Sequence, residues 1–361
     1  MPKLGHDYQN YTQTTAPTCT TEGVETGTCI RDQVTTTRPK AIDSNAHNWG
    51  TAYGVKTAAT ATTYGIEAIM CTYNNSHFNE DETSLLYATG TEGLAYELNS
   101  SNTAYRVSRG TAAGAIHIPG YHRPDASALY LPVMEIGDGT NTESSNAFGG
   151  TSWDDPNTTV TSITFAAESR LTTISAYAFY NCKNLTSITI PASVTSIGNS
   201  AFSDCSSLTD ITLPEVLTTF GNYVFYNCTG LTSITIPDSV TSIGDYAFSG
   251  CTGLTSVTIP ESVTSIGNGA FFNCTSLTSI IIPEGVTSIG SHAFTNCTSL
   301  TSITIPASVT SIGWEVFLFW SDTQTINVPF ANADAKPAEW RSDWNQSCNA
   351  VIKYWNGSEY Q

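Results

Sequence analysis

From about residue 160 onward the apolar positions of this chain recur every 23 residues, a period far longer than that of a helix or a strand. One period shows the grammar. Leu231, Ile234 and Ile236 are apolar, and Ser233 and Thr235 between them are polar. That alternation of two predicts a short strand with one buried face. Pro237 has no backbone donor and stops the strand. Val240 and Ile243 form a second apolar pair, Gly244 predicts a turn at positive φ, and Ala247, Phe248 and Cys251 point back inward. A coil of this size cannot hold itself together, so the copies are expected to stack, sealing one another's open ends and sharing interstrand hydrogen bonds.

The same residues form ladders along the predicted stack. Cysteines stand at 182, 205, 228, 251, 274 and 297, with prolines, glycines and phenylalanines in step. About seven coils fit between Val160 and Trp320, the first with a small insertion, the last with Trp320 in the cysteine position. At ~4.8 Å per strand the stack is roughly 35 Å long. Neighbouring cysteines would lie within reach of a disulfide, but pairing in a parallel stack distorts alternate coils. Buried free thiols behaving as small hydrophobes are the expectation.

The residues just quoted resemble the BspA-like leucine-rich-repeat family of surface proteins, over residues of about 160–320. The resemblance implies a curved solenoid with short parallel strands on one face. It also implies an extracellular or cell-surface location and a role in adhesion or ligand binding.

An open solenoid end exposes core and strand edge, so caps are expected. Residues 93–99 and 103–107 read as a hairpin. Residues 115–119, 131–137 and 147–148 spell one stretched repeat, with 120–130 and 138–146 as loops. This resembles the N-terminal cap of the same family. After the last strand, at 325–329, the stretch with Lys336, Pro337, Trp340, Trp344, Cys348, Tyr354 and Trp355 resembles the family's tryptophan-rich end. It reads as a closing cap, with an aromatic sugar platform of Trp340, Trp344 and Trp355 as the alternative.

The first ninety residues are dominated by Thr, Ala and Gly and repeat at an offset of 41–42 residues. His6, Tyr8, Ala16, Gly23 and Cys29 align with His47, Trp49, Ala58, Gly65 and Cys71. The copies resemble small Gly-His-type modules found in tandem on bacterial surface proteins. Each is near the size below which a core alone is marginal. A Cys19–Cys29 disulfide is one reading; Ala61 stands opposite Cys19 in the second copy. A zinc site of His6, Cys19, Cys29 and His47 has suitable ligands but no usual spacing. Residues 1–6 resemble a joint between such modules, so the chain reads as part of a longer protein. The expected fold class is therefore mainly β: two small β-rich modules (1–46, 47–90), an N-terminal cap with a degenerate repeat (91–159), the leucine-rich-repeat solenoid (160–320) and a C-terminal cap (321–361).

Charge narrows the partners. The 361 residues carry 31 acidic and 13 basic side chains, a net charge of −18, which argues against nucleic acid and anionic membrane. No run of 18 apolar residues occurs, so no membrane-spanning segment is expected. Catalytic and phosphate-binding motifs and calcium loops are missing from the sequence, and no carboxylates pair as an acid/base set. The reading is a non-enzyme without metal or cofactor, monomeric, binding an extracellular protein or glycan. His292, at a variable repeat position, is expected in solvent.

The candidate binding surface is the outward side of the predicted strands. Its positions run Ser187/Thr189, Asp210/Thr212, and then the proposed site residues Ser233, Thr235, Ser256, Thr258, Ser279, Ile281, Ser302 and Thr304. Such hydroxyls can bond a protein or a glycan, but they also simply solubilise a sheet and favour strand. Large anchors are missing from them, so each contact should be weak and multivalent display would have to compensate. Two functions stay open: a surface adhesin docking ligands on this face, or a structural spacer or carbohydrate-binding accessory in a larger surface protein.

Overall fold

A computed structural model describes four two-residue strands between 24 and 39, then residues 90–122, 131–137, 147–148, 157–166 and 169–361. In the first group Val24–Glu25 pairs antiparallel with Arg38–Pro39, and Thr28–Cys29 with Val34–Thr35. The second module, the Cys19–Cys29 pairing and the His6/Cys19/Cys29/His47 site fall outside the described residues.

The rest is a β solenoid. Its first ladder holds the predicted three-residue strands, such as Ser233–Thr235 and Ser256–Thr258, paired in parallel with a register shift of one repeat. In each the central residue is buried and the outer two exposed, as the alternation requires.

The second ladder was not foreseen as strand. The pair read only as Val240 and Ile243 ends in a two-residue strand, Ser242–Ile243. It is joined in parallel to Ser265–Ile266, which joins Ser288–Ile289, which joins Ser311–Ile312. Thr173–Ile174, Ser196–Ile197 and Thr219–Phe220 occupy the same position further up, in a separate sheet continuous with Leu131–Ile136 and the hairpin of Ala95–Leu98 and Tyr105–Ser108. Two residues are too few to display a period, and only the neighbouring coils complete the strand.

A third ladder runs through the turns. Phe225 N donates to Ala247 O at 2.8 Å, Phe248 N to Ala270 O at 2.8 Å and Phe271 N to Ala293 O at 2.9 Å. The turn ladder also joins coils where the strand ladders are interrupted, as between the coils of Asp210–Thr212 and Ser233–Thr235. The turns need two left-handed residues per coil, at 223 and 227 or 246 and 250, for example. The predicted positive φ at Gly244 is therefore a correction: the left-handed residues are Tyr223, Asn227, Tyr246 and Gly250. Gly244 is needed for space. A Cβ there would lie 2.6 Å from Gly221 O and 2.7 Å from Asn222 Oδ1 of the preceding coil. Gly221, Gly267 and Gly290 meet backbone of the preceding coil at 2.5–2.7 Å in the same way.

The core between the ladders is a column of rings. Phe148, Phe179, Phe202, Phe225, Phe248, Phe271, Phe294 and Phe317 stack with centroids 5.1–6.0 Å apart. Beside it the six cysteines are buried and unbonded to one another. Each thiol donates back to the phenylalanine carbonyl of the preceding coil, Cys251 to Phe225 O at 3.0 Å and Cys274 to Phe248 O at 3.1 Å. Burial pushes the thiols of Cys251 and Cys297 up to about 12. Trp320, in the seventh cysteine position, puts its indole Nε1 2.9 Å from Phe294 O and continues the pattern.

Both ends are closed. At the top, Gly114–Ile118 pairs in parallel with Val160–Phe165. At the bottom, Ser302–Thr304 pairs with Thr325–Val328, which pairs with Val351–Tyr354. Trp340 and Trp344 lie over the last coil, and Trp340 Nε1 donates to Val309 O at 3.0 Å.

Candidate functional site

Along the first ladder all eight proposed residues, Ser233, Thr235, Ser256, Thr258, Ser279, Ile281, Ser302 and Thr304, are solvent-exposed on one face. Exposure alone does not separate a binding surface from a solubilising one, but hydrogen bonding distinguishes two kinds of hydroxyl. The threonine just before each strand is used by the fold: Thr255 Oγ1 donates to Thr232 O at 3.0 Å and Thr278 Oγ1 to Thr255 O at 3.1 Å. Those of the second ladder do the same, Thr264 to Thr241 O at 3.2 Å and Thr287 to Thr264 O at 3.1 Å. On the outward face only Thr304 of the eight has a side-chain partner, accepting from Asn327 Nδ2 at 3.0 Å. The other hydroxyls keep their donors and acceptors for solvent or a ligand.

The face is not a uniform sheet. Ser187–Thr189 pairs with Asp210–Thr212, and Ser233–Thr235 with Ser256–Thr258, but these pairs belong to separate sheets. Grooves open at the interruptions. One of about 800 Å³ lies between the first two coils, lined by Phe165, Arg170, Ser187 and Thr189 among others. A second of about 270 Å³ lies between Asp210, Thr212 and Glu215 on one side and Ser233 and Thr235 on the other. The coil of Ser279 keeps only an isolated bridge to Ser256, and its Ile281 stands 80% exposed. The strand face thus carries hydroxyls, one exposed aliphatic, and grooves where backbone pairing lapses.

The sugar platform of three tryptophans is not formed. Trp340 and Trp344 are buried against Phe330 and Phe317, because the last coil's core needs a lid; Trp355 alone is exposed and packs on Tyr360 at 5.0 Å. His292 is likewise not free in solvent. It is half-buried, 4.1 Å centroid to centroid from Trp314, with Nδ1 3.3 Å from Thr295 Oγ1 and 3.8 Å from Glu315 Oε2. Its coil places it at a left-handed turn position, φ 59°, beside the next coil's tryptophan.

Sequence reading missed the aromatic residues of that turn side. Tyr177, Tyr223 and Tyr246 occupy left-handed positions, with Tyr180 and Tyr226 three residues after the first two and Phe272 three residues after Gly269, at the same position of the next coil. Tyr223 and Tyr246 stack at 5.0 Å and 11°. The signal was present in the 23-residue register, but alternation gives no clue to which turn positions face outward. Among the described residues no group of three or more His, Cys, Asp or Glu is placed to hold a metal ion, and no helix is long and apolar enough to cross a membrane.

The stacked parallel coils, with a leucine, two isoleucines and a phenylalanine per turn, define a leucine-rich-repeat solenoid. The BspA type leucine rich repeat region matches residues 142–248 and 218–336, in six copies, and the chain belongs to that family. Solved structures with similar folds include a leucine-rich repeat protein from Bacteroides ovatus, 24% identical with a TM-score of 0.48. That match covers 73% of this chain and 66% of that one, so the chain spans slightly under two thirds of that protein's length. The T. pallidum leucine rich repeat protein is 28% identical, with 63% of this chain and 86% of that one covered and a TM-score of 0.46. A leucine rich cell surface protein from Faecalibacterium prausnitzii is 26% identical, with 73% and 71% covered and a TM-score of 0.49. No curated protein matches the chain.

Proposed function

We propose that the chain is a non-enzymatic recognition region of a cell-surface or secreted protein, docking an extracellular protein or glycan on the strand face of its solenoid. The observation that carries this reading is the division of labour among the hydroxyls. Those just before the strands are consumed by inter-coil bonds, whereas Ser233, Thr235, Ser256, Thr258, Ser279 and Ser302 have none. A row of unspent donors and acceptors at one-repeat spacing suits an extended ligand, and Ile281 adds an apolar contact. Without large anchors each contact contributes little, so affinity should depend on multivalent display.

The test is a binding screen of the chain against extracellular-matrix proteins and a glycan array, with Ser256→Arg/Thr258→Arg beside it. Two arginines on exposed positions leave the core untouched but block the centre of the face. A ligand whose binding is lost in the variant supports the reading. Ligands that bind both proteins equally would move recognition off this face, and no ligand for either would favour a spacer.

A further inference from the structure

The turn side of the solenoid carries a second feature that the strand-face reading does not use. Left-handed backbone suits glycine and asparagine and strains bulky residues. The fold accepts small residues here, since Gly269 has φ 55° and Ser200 has φ 55° at the same repeat position. Yet Tyr177, Tyr223 and Tyr246 take this conformation at φ 58°, 57° and 53°. They do not do so to fill the core, because Tyr223 is 38% exposed and the Phe column is closed beneath them at Gly269 as well. The hydroxyls of Tyr223 and Tyr246 have no hydrogen-bond partner among the described residues. The stripe continues through Phe272 and His292 to Trp314, itself 40% exposed. Tyrosine and tryptophan are among the residues most often found as interface anchors.

Charge identifies the partner. Between Lys183 and Lys336 the chain has no lysine or arginine at all, but ten aspartates and glutamates. Two of them, Asp245 and Glu315, sit next to the stripe, beside Tyr246 and Trp314 in the chain. An anionic partner would find no lysine or arginine along residues 184–335. A cationic one would find aromatic rings with carboxylates alongside, the arrangement that holds guanidinium and ammonium groups.

We infer that the stripe of Tyr223, Tyr246, His292 and Trp314 is an interaction surface for a basic polypeptide segment. Its arginine or lysine side chains pack on the rings and pair with Asp245 and Glu315. This surface is separate from the strand face, and the two can be occupied independently.

The probe is a twelve-residue peptide of alternating Arg and Gly, titrated into the whole chain at 150 mM salt, with alternating Glu and Gly as control. The Arg peptide is expected to bind and the Glu peptide not. Tyr223→Asn/Tyr246→Asn should weaken binding at least tenfold while its melting temperature stays level or rises, because asparagine relieves the left-handed strain. Should that variant misfold, Trp314→Ser, which copies Ser291 one coil earlier, should weaken binding at least threefold. Unchanged binding in both folded variants would reduce the interaction to net charge and overturn the proposal, as would no binding by the parent. Loss of a neutral oligosaccharide, rather than the peptide, in these variants would overturn the choice of partner.

Discussion

Gly244→Ala separates two explanations of the glycine ladder by the sign of its effect. Were the glycine present for conformational freedom alone, with φ in the ordinary range as observed, alanine would stabilise the fold by about 0.4–1 kcal/mol through the unfolded state. The structure argues the opposite. The new Cβ would meet Gly221 O at 2.6 Å, Asn222 Oδ1 at 2.7 Å and Gly221 C at 2.9 Å, all well inside van der Waals contact. Two of the three are backbone, held by the ladder above, so the neighbours cannot swing away. The coils must separate by several tenths of an ångström. That strains the bond from Asp245 N to Asn222 Oδ1, now 2.8 Å. Overpacking of this kind costs about 1–3 kcal/mol, and a weakened hydrogen bond about 1 kcal/mol more. Set against the unfolded-state gain, the expected net loss is about 1–3 kcal/mol. Urea unfolding of parent and variant, followed by circular dichroism, measures it from the midpoint at equal slope. Gly267→Ala should behave alike, since its Cβ would lie 2.7 Å from Asp245 N. A neutral or stabilised Gly244→Ala would refute the close-approach argument.

Trp320→Phe keeps a ring in the last cysteine position but removes the donor to Phe294 O, and should lower stability by about 1–3 kcal/mol in the same unfolding assay. In native protein Cys205, Cys228, Cys251, Cys274 and Cys297 should resist iodoacetamide at pH 8, with mass spectrometry finding them alkylated only after unfolding, because burial holds each thiol protonated. These raised values also fix a pH dependence. Protonated thiols favour the fold fully below the unfolded cysteine's range, near 8.5, and this contribution falls as pH climbs toward the folded values, by up to about 1.4 kcal/mol per pH unit for each cysteine. The urea midpoint should therefore drop between pH 9 and 11, and a flat profile would contradict it.

Much of this molecule was legible in the sequence because repetition multiplies a weak signal. A single Ser-Ile-Thr alternation over 233–235 proves little, but six copies in register require a parallel ladder. The same holds for the Phe column, the buried thiols and the substitution of Trp320 for cysteine. The second ladder escaped because Ser242–Ile243 is two residues long and owes its strand character to Ser265–Ile266 of the next coil. The role of Gly244 escaped because a sequence shows that a side chain is missing without showing what would occupy its place.

The candidate surfaces divide in the same way. The outward positions Ser256 and Thr258 follow from alternation alone, since strand side chains alternate faces whatever lies nearby. Their freedom from internal bonds does not follow, because Thr255, one residue earlier, is bonded across the coils and looks no different in the sequence. The burial of Trp340 and Trp344, the half-burial of His292 and the aromatic stripe through Tyr223 and Tyr246 are decided by contacts between coils 23 residues or more apart. Sequence by itself determined the coil, its count and its inward residues, because these depend on local periodicity. Tertiary structure decided which glycines are tight, which hydroxyls are spent and which aromatics remain outside, because each is a fact about the neighbouring coil.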